Sequence, residues 1–331
     1  MRADNLGDVL LAGPAVRAVA ASGARVVMGV SPRGRPAAER LPGVSEVLEL
    51  ELPWISADPA PYSATAHERL VDALRAVGAD EALVFTSYHQ SALPTALLLR
   101  TAGVARISGI SEDYPGSLLD VRVPPPPPMH EVERMLVVAS AAGYVLPPGD
   151  DRALRITGAP GHDDGPVEGP YVVVHPGCSV PARTLTPARW HAVVGALADR
   201  GAVVVTGSPG ERRLVERVAS HRSGVVRAAI TSSFDELARI LAGASAVVVG
   251  NTGPAHLAAA LGLPVVSAFA PTVDPGAWRP WGVPHRLLGR LDIGCAGCRS
   301  RVCPLADQPC LAEVEPEDVV AAVEELAGVL R

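Results

Sequence analysis

At 331 residues with a net charge of -6, the chain is long enough for two domains and lacks the chain-wide basic field that nucleic acid would require. Its aromatic content of 4% also argues against base-stacking platforms, while 48% hydrophobic and 19% charged residues exclude wholesale disorder, collagen-like and coiled-coil classes. All 29 basic residues are arginine. Lysine Schiff-base and lysine general-base chemistry are therefore excluded, and an anionic ligand must be held by Arg, His or backbone N–H groups.

In chain order, residues 1–20 carry Arg2, Asp4, Asp8 and Arg17 and lack the uninterrupted apolar core of a secretory signal. Residues 1–8 read as the loop that follows a strand, with a helix (LAGPAVRAVAA) starting at once. A doubly wound domain is expected to open on a strand, so either a first strand lies upstream of Met1, the preferred expectation, or the domain begins atypically. Short β-type apolar runs then alternate with helical patterns: ARVVMGV (24–30), EALVFT (81–86), YVVVH (171–175), AVVVTG (202–207), SAVVVG (245–250) and LPVVSAF (263–269) are read as buried parallel strands. Helices are expected over 130–144, 187–199, 211–220, 234–243, 254–262 and 316–330, the last opening on Pro316 followed by acids. Alternation of this kind predicts open, doubly wound α/β sheets that bind ligands at the carboxyl ends of their strands.

The middle of the chain is weaker. The run PPPPP (124–128) excludes a central strand or helix, and after a strand-like ALRIT (153–157) comes GAPGHDDGPVEGP (158–170), rich in Gly, Pro and Asp. The expected organisation is a domain over 1–157, a linker over 158–170, a domain over 171–315 and a terminal helix over 316–331. The longest mostly apolar stretch, Leu237 to Ala270, is interrupted by Arg239, Asn251, His256 and two prolines, too often for a bilayer span. The expectation is a cytoplasmic protein, with peripheral membrane contact left open.

Five groupings carry chemistry. In Asp4-Asn5-Leu6-Gly7-Asp8, Asp8 falls on the first turn of a helix, where it either acts as a general base toward a hydroxyl or merely caps the helix. His175 to Thr184 follows a strand directly and offers Ser179 and Arg183 to a phosphate; a polar turn with a solvated Arg reads equally well. Gly250-Asn251-Thr252-Gly253-Pro254-Ala255-His256 places free N–H groups at a helix start, with His256 as an added donor, or is an ordinary strand-to-helix turn. Glu211, after Gly207-Ser208-Pro209-Gly210, either accepts ribose hydroxyls or complements a helix dipole. Thr272 ends another strand near the same place. Cys295, Cys298, Cys303 and Cys310 lie within 16 residues: a structural zinc site, a disulfide or a reduced cluster.

RADNLGDVLLAGPAVRA, HPGCSVPARTLTPARW, VVVTGSPGERRLVE, VVGNTGPAHLAAALGLPVVSAFAPT and CAGCRSRVCPLADQPCLAEVEPEDV together resemble glycosyltransferase family 9, the heptosyltransferase-like family. The resemblance implies a GT-B fold, two Rossmann-like domains about a cleft, with the last helix crossing back to the N-terminal domain. It also implies an inverting sugar transfer that needs no metal for catalysis, from a nucleoside-diphosphate (ADP-linked, heptose-like) donor to a glycan or small-molecule hydroxyl. The family's base falls on Asp8, its cationic phosphate ligand on Arg183 and its donor motif on Asn251-Thr252-Gly253, followed by His256. Glu211 falls at the nucleotide ribose. Asn251 departs from the family's Asp, and Arg183 stands where Lys is usual. Two other readings stand beside this one: an epimerase-like sugar-nucleotide enzyme on the same fold, and a catalytically silent nucleotide-sugar-binding homologue.

Overall fold

The structure is a computed structural model describing residues 1–56, 58–161, 166–220 and 226–328. The chain divides into two compact units, Met1–Thr157 and Gly158–Arg331.

In the first unit the elements are α1 (Leu6–Leu11), α2 (Gly13–Ala20), β1 (Val27–Val30), α3 (Arg35–Ala38), β2 (Glu46–Glu49), α4 (Ala64–Val77), β3 (Glu81–Val84), α5 (Leu93–Thr101), β4 (Arg106–Ile110), β5 (Val121–Val123) and α6 (Glu131–Ala141). The helix expected over 11–21 begins at Gly13, and a separate helix, Leu6–Leu11, forms ahead of it where a loop was expected to residue 8, the two parting at Ala12. Pro14 has no N–H to donate, so the first helix cannot run through it. The strands are parallel but form two sheets, β1-β2 and β3-β4-β5. Met1 and Arg2 lie between the two. The Arg2 amide donates to Gly29 O at 2.9 Å, the Met1 ammonium donates to Leu83 O at 2.8 Å, and the Phe85 amide donates to Met1 O at 3.0 Å. Beside this two-residue bridge a cavity of about 470 Å³ separates Val27–Gly29 from Glu81–Leu83. Burial and the adjacent Arg2 push the Met1 amine down to about 5. The apolar core of the unit joins α4 and α5 to the second sheet through Val71, Leu74, Val84, Leu98 and Ile107. The strand expected at 153–157 does not form; the Thr157 amide instead donates to Arg40 O.

The second unit contains β6 (Tyr171–His175), α7 (Pro187–Ala198), β7 (Ala202–Gly207), α8 (Arg212–Val218), β8 (Val226–Ile230), α9 (Phe234–Ala242), β9 (Ala246–Gly250), α10 (Gly253–Ala260), β10 (Val265–Ala268), α11 (Pro275–Trp278), β11 (His285–Leu288) and α12 (Pro316–Ala327). Six parallel strands form one sheet in the order β11-β10-β9-β6-β7-β8. Numbered within the unit from the β8 edge this is 3-2-1-4-5-6, the Rossmann order, and the order of strand addition reverses between β6 and β9. The central strands are continuous valine runs because both their faces are covered. Trp190 on α7 is fully buried against them.

The terminal helix α12 packs on α7, β9, β10 and β11 of the second unit. Val319, Val320, Ala322 and Val323 enter the same core as Val193 and Leu197, and this is where its apolar face is spent. Of the expected linker, residues 162–165 lie outside the described residues. No helix among the described residues is long and apolar enough to cross a membrane.

Both units are thus Rossmann-like α/β layers, and the architecture is of GT-B type.

Candidate active site

The first unit concentrates buried charge at the start of its chain. Arg2 is fully buried, and its Nη2 serves three acceptors: Asp8 Oδ1 at 3.2 Å, Ser87 Oγ at 3.1 Å and Glu131 Oε2 at 3.0 Å. Its Nε lies 3.2 Å from Asp4 Oδ2. Glu131, the first residue of α6, is equally buried, and its second oxygen is 3.6 Å from the Arg134 guanidinium. Arg134 in turn donates to Thr86 O and lies over the Tyr88 ring. Buried charges of this kind persist only when paired, and three carboxylates share two guanidiniums here.

Asp8 is the member of this cluster whose side chain reaches furthest toward solvent, at 18% exposure. It is also the third residue of α1, and Oδ2 accepts the Asn5 amide at 3.3 Å. The capping reading is therefore correct for one oxygen, while the other is held by Arg2. Burial, then the nearby Asp4 and Glu131 carboxylates, push the Asp8 carboxyl up to about 7 against the pull of Arg2. A carboxyl titrating near neutrality is poised to take a proton. Burial likewise raises Glu131, against the pull of Arg2 and Arg134.

In the second unit the loops after β6 and β9 leave from either side of the reversal in strand order, where open α/β sheets bind ligands. Arg183 ends a short 3₁₀ turn, Pro181–Arg183. Its Nε donates to Thr272 Oγ1 at 2.9 Å, and its carbonyl accepts the Asn251 amide at 3.2 Å. The two loops touch because residue 250 is glycine: a Cβ there would sit 2.6 Å from Arg183 O. Cys178 donates its thiol to Asn251 O at 3.7 Å and also meets the Thr252 hydroxyl. Gly253 and Pro254 open α10, and Thr252 precedes them in extended conformation without a side-chain cap. The Asn251 amide nitrogen Nδ2 is buried with no hydrogen-bond partner.

Glu211 stands over Gly177, whose Cβ would fall 2.0 Å from Glu211 Oε1. Its Oε2 accepts both the amide and the hydroxyl of Ser208, at 2.8 and 2.7 Å. Oε2 is thereby engaged in the helix start, as the dipole reading expects. The His175 ring bonds Thr206 at 3.0 Å; burial, opposed by Glu211, holds the imidazole below its ordinary value. Arg183, Asn251, Thr252, Gly253 and Thr272 are thus brought together and Glu211 lies beside the same loop. Ser179 is exposed on that loop. His256 is buried on the first turn of α10, at 4% exposure.

Cys295, Cys298, Cys303 and Cys310 are free thiols, and among the described residues no three His, Cys, Asp or Glu side chains are arranged to share a metal ion. Cys310 is drawn into the apolar core, whereas Cys295 and Cys298 are exposed. Burial, with the neighbouring thiols adding to it, pushes Cys310 up.

The family model for glycosyltransferase family 9 (heptosyltransferase) matches residues 67–308. The chain belongs to glycosyltransferase family 9. The match takes in every loop of the second-unit site but not Asp8. Lipopolysaccharide heptosyltransferase 1 of Pseudomonas aeruginosa is 32% identical over 229 residues, which is 65% of this chain and 61% of that protein; the sequence likeness thus spans less than two thirds of the relative. Among solved structures, a family 9 glycosyltransferase from Veillonella parvula superposes with a TM-score of 0.76 at 16% identity, covering 98% of this chain and 95% of that one. Escherichia coli heptosyltransferase WaaC with ADP-2-deoxy-2-fluoro heptose superposes with a TM-score of 0.72 at 22% identity, covering 98% of both chains.

Sequence reasoning missed Arg2, Asp4, Ser87, Glu131 and Arg134 as parts of the site. A signal was available for two of them. Glu131 and Arg134 are three residues apart in a helix with Val132, Met135 and Val138, so they share its apolar face, and charges on such a face are kept only as pairs.

Proposed function

We propose that the protein is an inverting glycosyltransferase that moves a heptose-like sugar from an ADP-linked donor to a hydroxyl of a glycan or small molecule. The observation that carries this reading is the Rossmann-ordered sheet of the second unit, whose loops gather Arg183, Asn251, Thr252 and the opening amides of α10 at the reversal of strand order. Family membership and the likeness to relatives named as heptosyltransferases support the sugar, and a fold neighbour solved with ADP-2-deoxy-2-fluoro heptose supports the nucleotide.

In this mechanism the second unit holds the donor diphosphate. Asp8 accepts the proton of the acceptor hydroxyl as its oxygen attacks the anomeric carbon. The bond from that carbon to the β-phosphate oxygen breaks, and its electron pair leaves on the diphosphate. A single displacement inverts the anomeric centre. Arg183 and the amides of α10 offset the charge that develops on the leaving group, a contribution of several kcal/mol for preorganised donors, so the residues present suffice without a divalent ion. Asn251 stands where the family carries Asp; its buried amide nitrogen is a donor, which suits it to an acceptor atom of the sugar or the phosphates.

Melting curves with ADP-, UDP-, GDP- and dTDP-sugars test this reading, since a ligand that binds the folded state raises the melting temperature. The ADP-sugar is expected to give the largest rise, and Arg183→Ala to weaken ADP about 10–100-fold, as hydrogen bonds to charged groups are worth about 1.5–3 kcal/mol. Unchanged ADP affinity in the variant removes Arg183 from the site.

A further inference from the structure

We propose that Glu131 is a positioning residue for Asp8, competing with it for one guanidinium nitrogen of Arg2 and thereby keeping Asp8 a competent base. This rests on Asp8 being the base of the reaction above.

The geometry is specific. Asp8 Oδ1 and Glu131 Oε2 lie on the same Arg2 Nη2, at 3.2 and 3.0 Å. Glu131 has no exposed surface, so it is kept from a substrate and acts on Asp8 through the shared Arg2 and through the charge of its own carboxylate. A carboxylate that owned Arg2 alone would be a weak base, because an adjacent guanidinium stabilises the ionised form and lowers proton affinity by about 1–3 pKa units. The buried second carboxylate divides that stabilisation.

The other charges near Asp8 are few. The amino-terminal segment contributes Arg2 and Asp4, and Asp4 accepts from Gln90 Nε2 at 2.7 Å. Helix α6 contributes Glu131, with Arg134 behind it. Helix α3, packed on α1, contributes Arg35, which is turned to Glu39 at 2.8 Å and Glu49 at 3.8 Å. Residues 86–88 supply Ser87 as a neutral partner of Arg2, and Tyr88 beneath Arg134. Glu131 and Asp4 are the two carboxylates that compete with Asp8 for Arg2. Asp4 holds Nε and Glu131 holds the shared Nη2.

The test is Glu131→Gln in the full chain, read by ¹³C NMR titration of labelled aspartate carboxyls. The Asp8 resonance is identified by its loss in Asp8→Asn. The amide cannot hold Arg2 as a charge does, so the Asp8 midpoint is expected to fall by about one pH unit or more. The acid limb of the transfer pH profile should move with it, and kcat should fall while the donor KM stays. A folded Glu131→Gln that keeps the parent midpoint overturns the proposal. Should that variant not fold, Arg134→Gln leaves Glu131 to Arg2 alone, and the Asp8 midpoint is expected to rise; an unmoved midpoint there overturns it equally. Turnover by Asp8→Asn would sink the assignment of the base and leave the NMR result standing, so the two failures are told apart.

Discussion

The two units use the same α/β layering for opposite electrostatic ends. The first gathers three carboxylates and two guanidiniums into its interior, and one carboxyl there titrates near 7. The second keeps its interior apolar, with valine-rich strands and Trp190, and leaves its chemistry to loop amides, hydroxyls and one arginine. The difference teaches what each kind of site needs. A base must be destabilised as an ion, which requires burial and competing charges. An anion cradle needs donors in fixed places, which a glycine-permitted loop contact and a helix start supply.

The comparison is broken most sharply at Asp8. Asp8→Asn keeps the shape and removes the proton acceptor, so transfer is expected to fall about 10²–10⁴-fold with donor affinity little changed. The same variant should be the more stable protein. A carboxyl raised from 3.8 to about 7 binds its proton more tightly folded than unfolded. Its favourable contribution is complete below pH 4 and disappears as pH rises through 7, a swing of about 4 kcal/mol at most. The melting-temperature advantage of the variant over the parent should therefore grow between pH 4 and 7 and level off above. An advantage that does not vary with pH would mean that Asp8 is not destabilised in the fold.

The corresponding break in the second unit is at Gly250. A methyl at that position would fall on the Arg183 carbonyl, so Gly250→Ala must push the two loops apart. Overpacking of this kind costs about 1–3 kcal/mol, and nucleoside-diphosphate affinity should drop alongside stability. Calorimetric titration of ADP decides: lost stability with intact affinity would show that the contact of the two loops is not what forms the cradle.

How much of this was legible in the sequence follows the same divide. The second unit could be read because its strands are continuous apolar runs that stop at glycine-bearing turns, and its key loops lie directly after them. The edge strands β2, β8 and β11 were missed because they are partly exposed and carry charges, so no apolar run announces them. Asp8 was found from its place after a turn. Its partners were not, because Glu131 lies 129 residues from Arg2 and no local pattern links them. Spacing along the chain likewise does not say which of the four thiols the core will claim, and it claimed Cys310.

The smallest expected effect concerns the bridge between the two sheets of the first unit. There Met1 and Arg2 bond to both β1 and the β3 segment, beside a cavity of about 470 Å³ lined by Met1. Gly29 O on one side and Leu83 O and the Phe85 amide on the other already bond to this segment. An engineered extension of four apolar β-branched residues ahead of Met1 should enter this space, pair with both edges and move the amine out of burial. Each buried apolar side chain contributes about 1.5–3 kcal/mol, and fixing its backbone costs about 1–2 kcal/mol. The net gain should raise the melting temperature by about 2–4 °C for each kcal/mol that survives. A Gly-Ser extension of equal length has no side chains to fill the cavity and should give no rise. Equal melting temperatures for the two extensions would mean that the space does not admit a strand and that the interruption is intrinsic to this sheet.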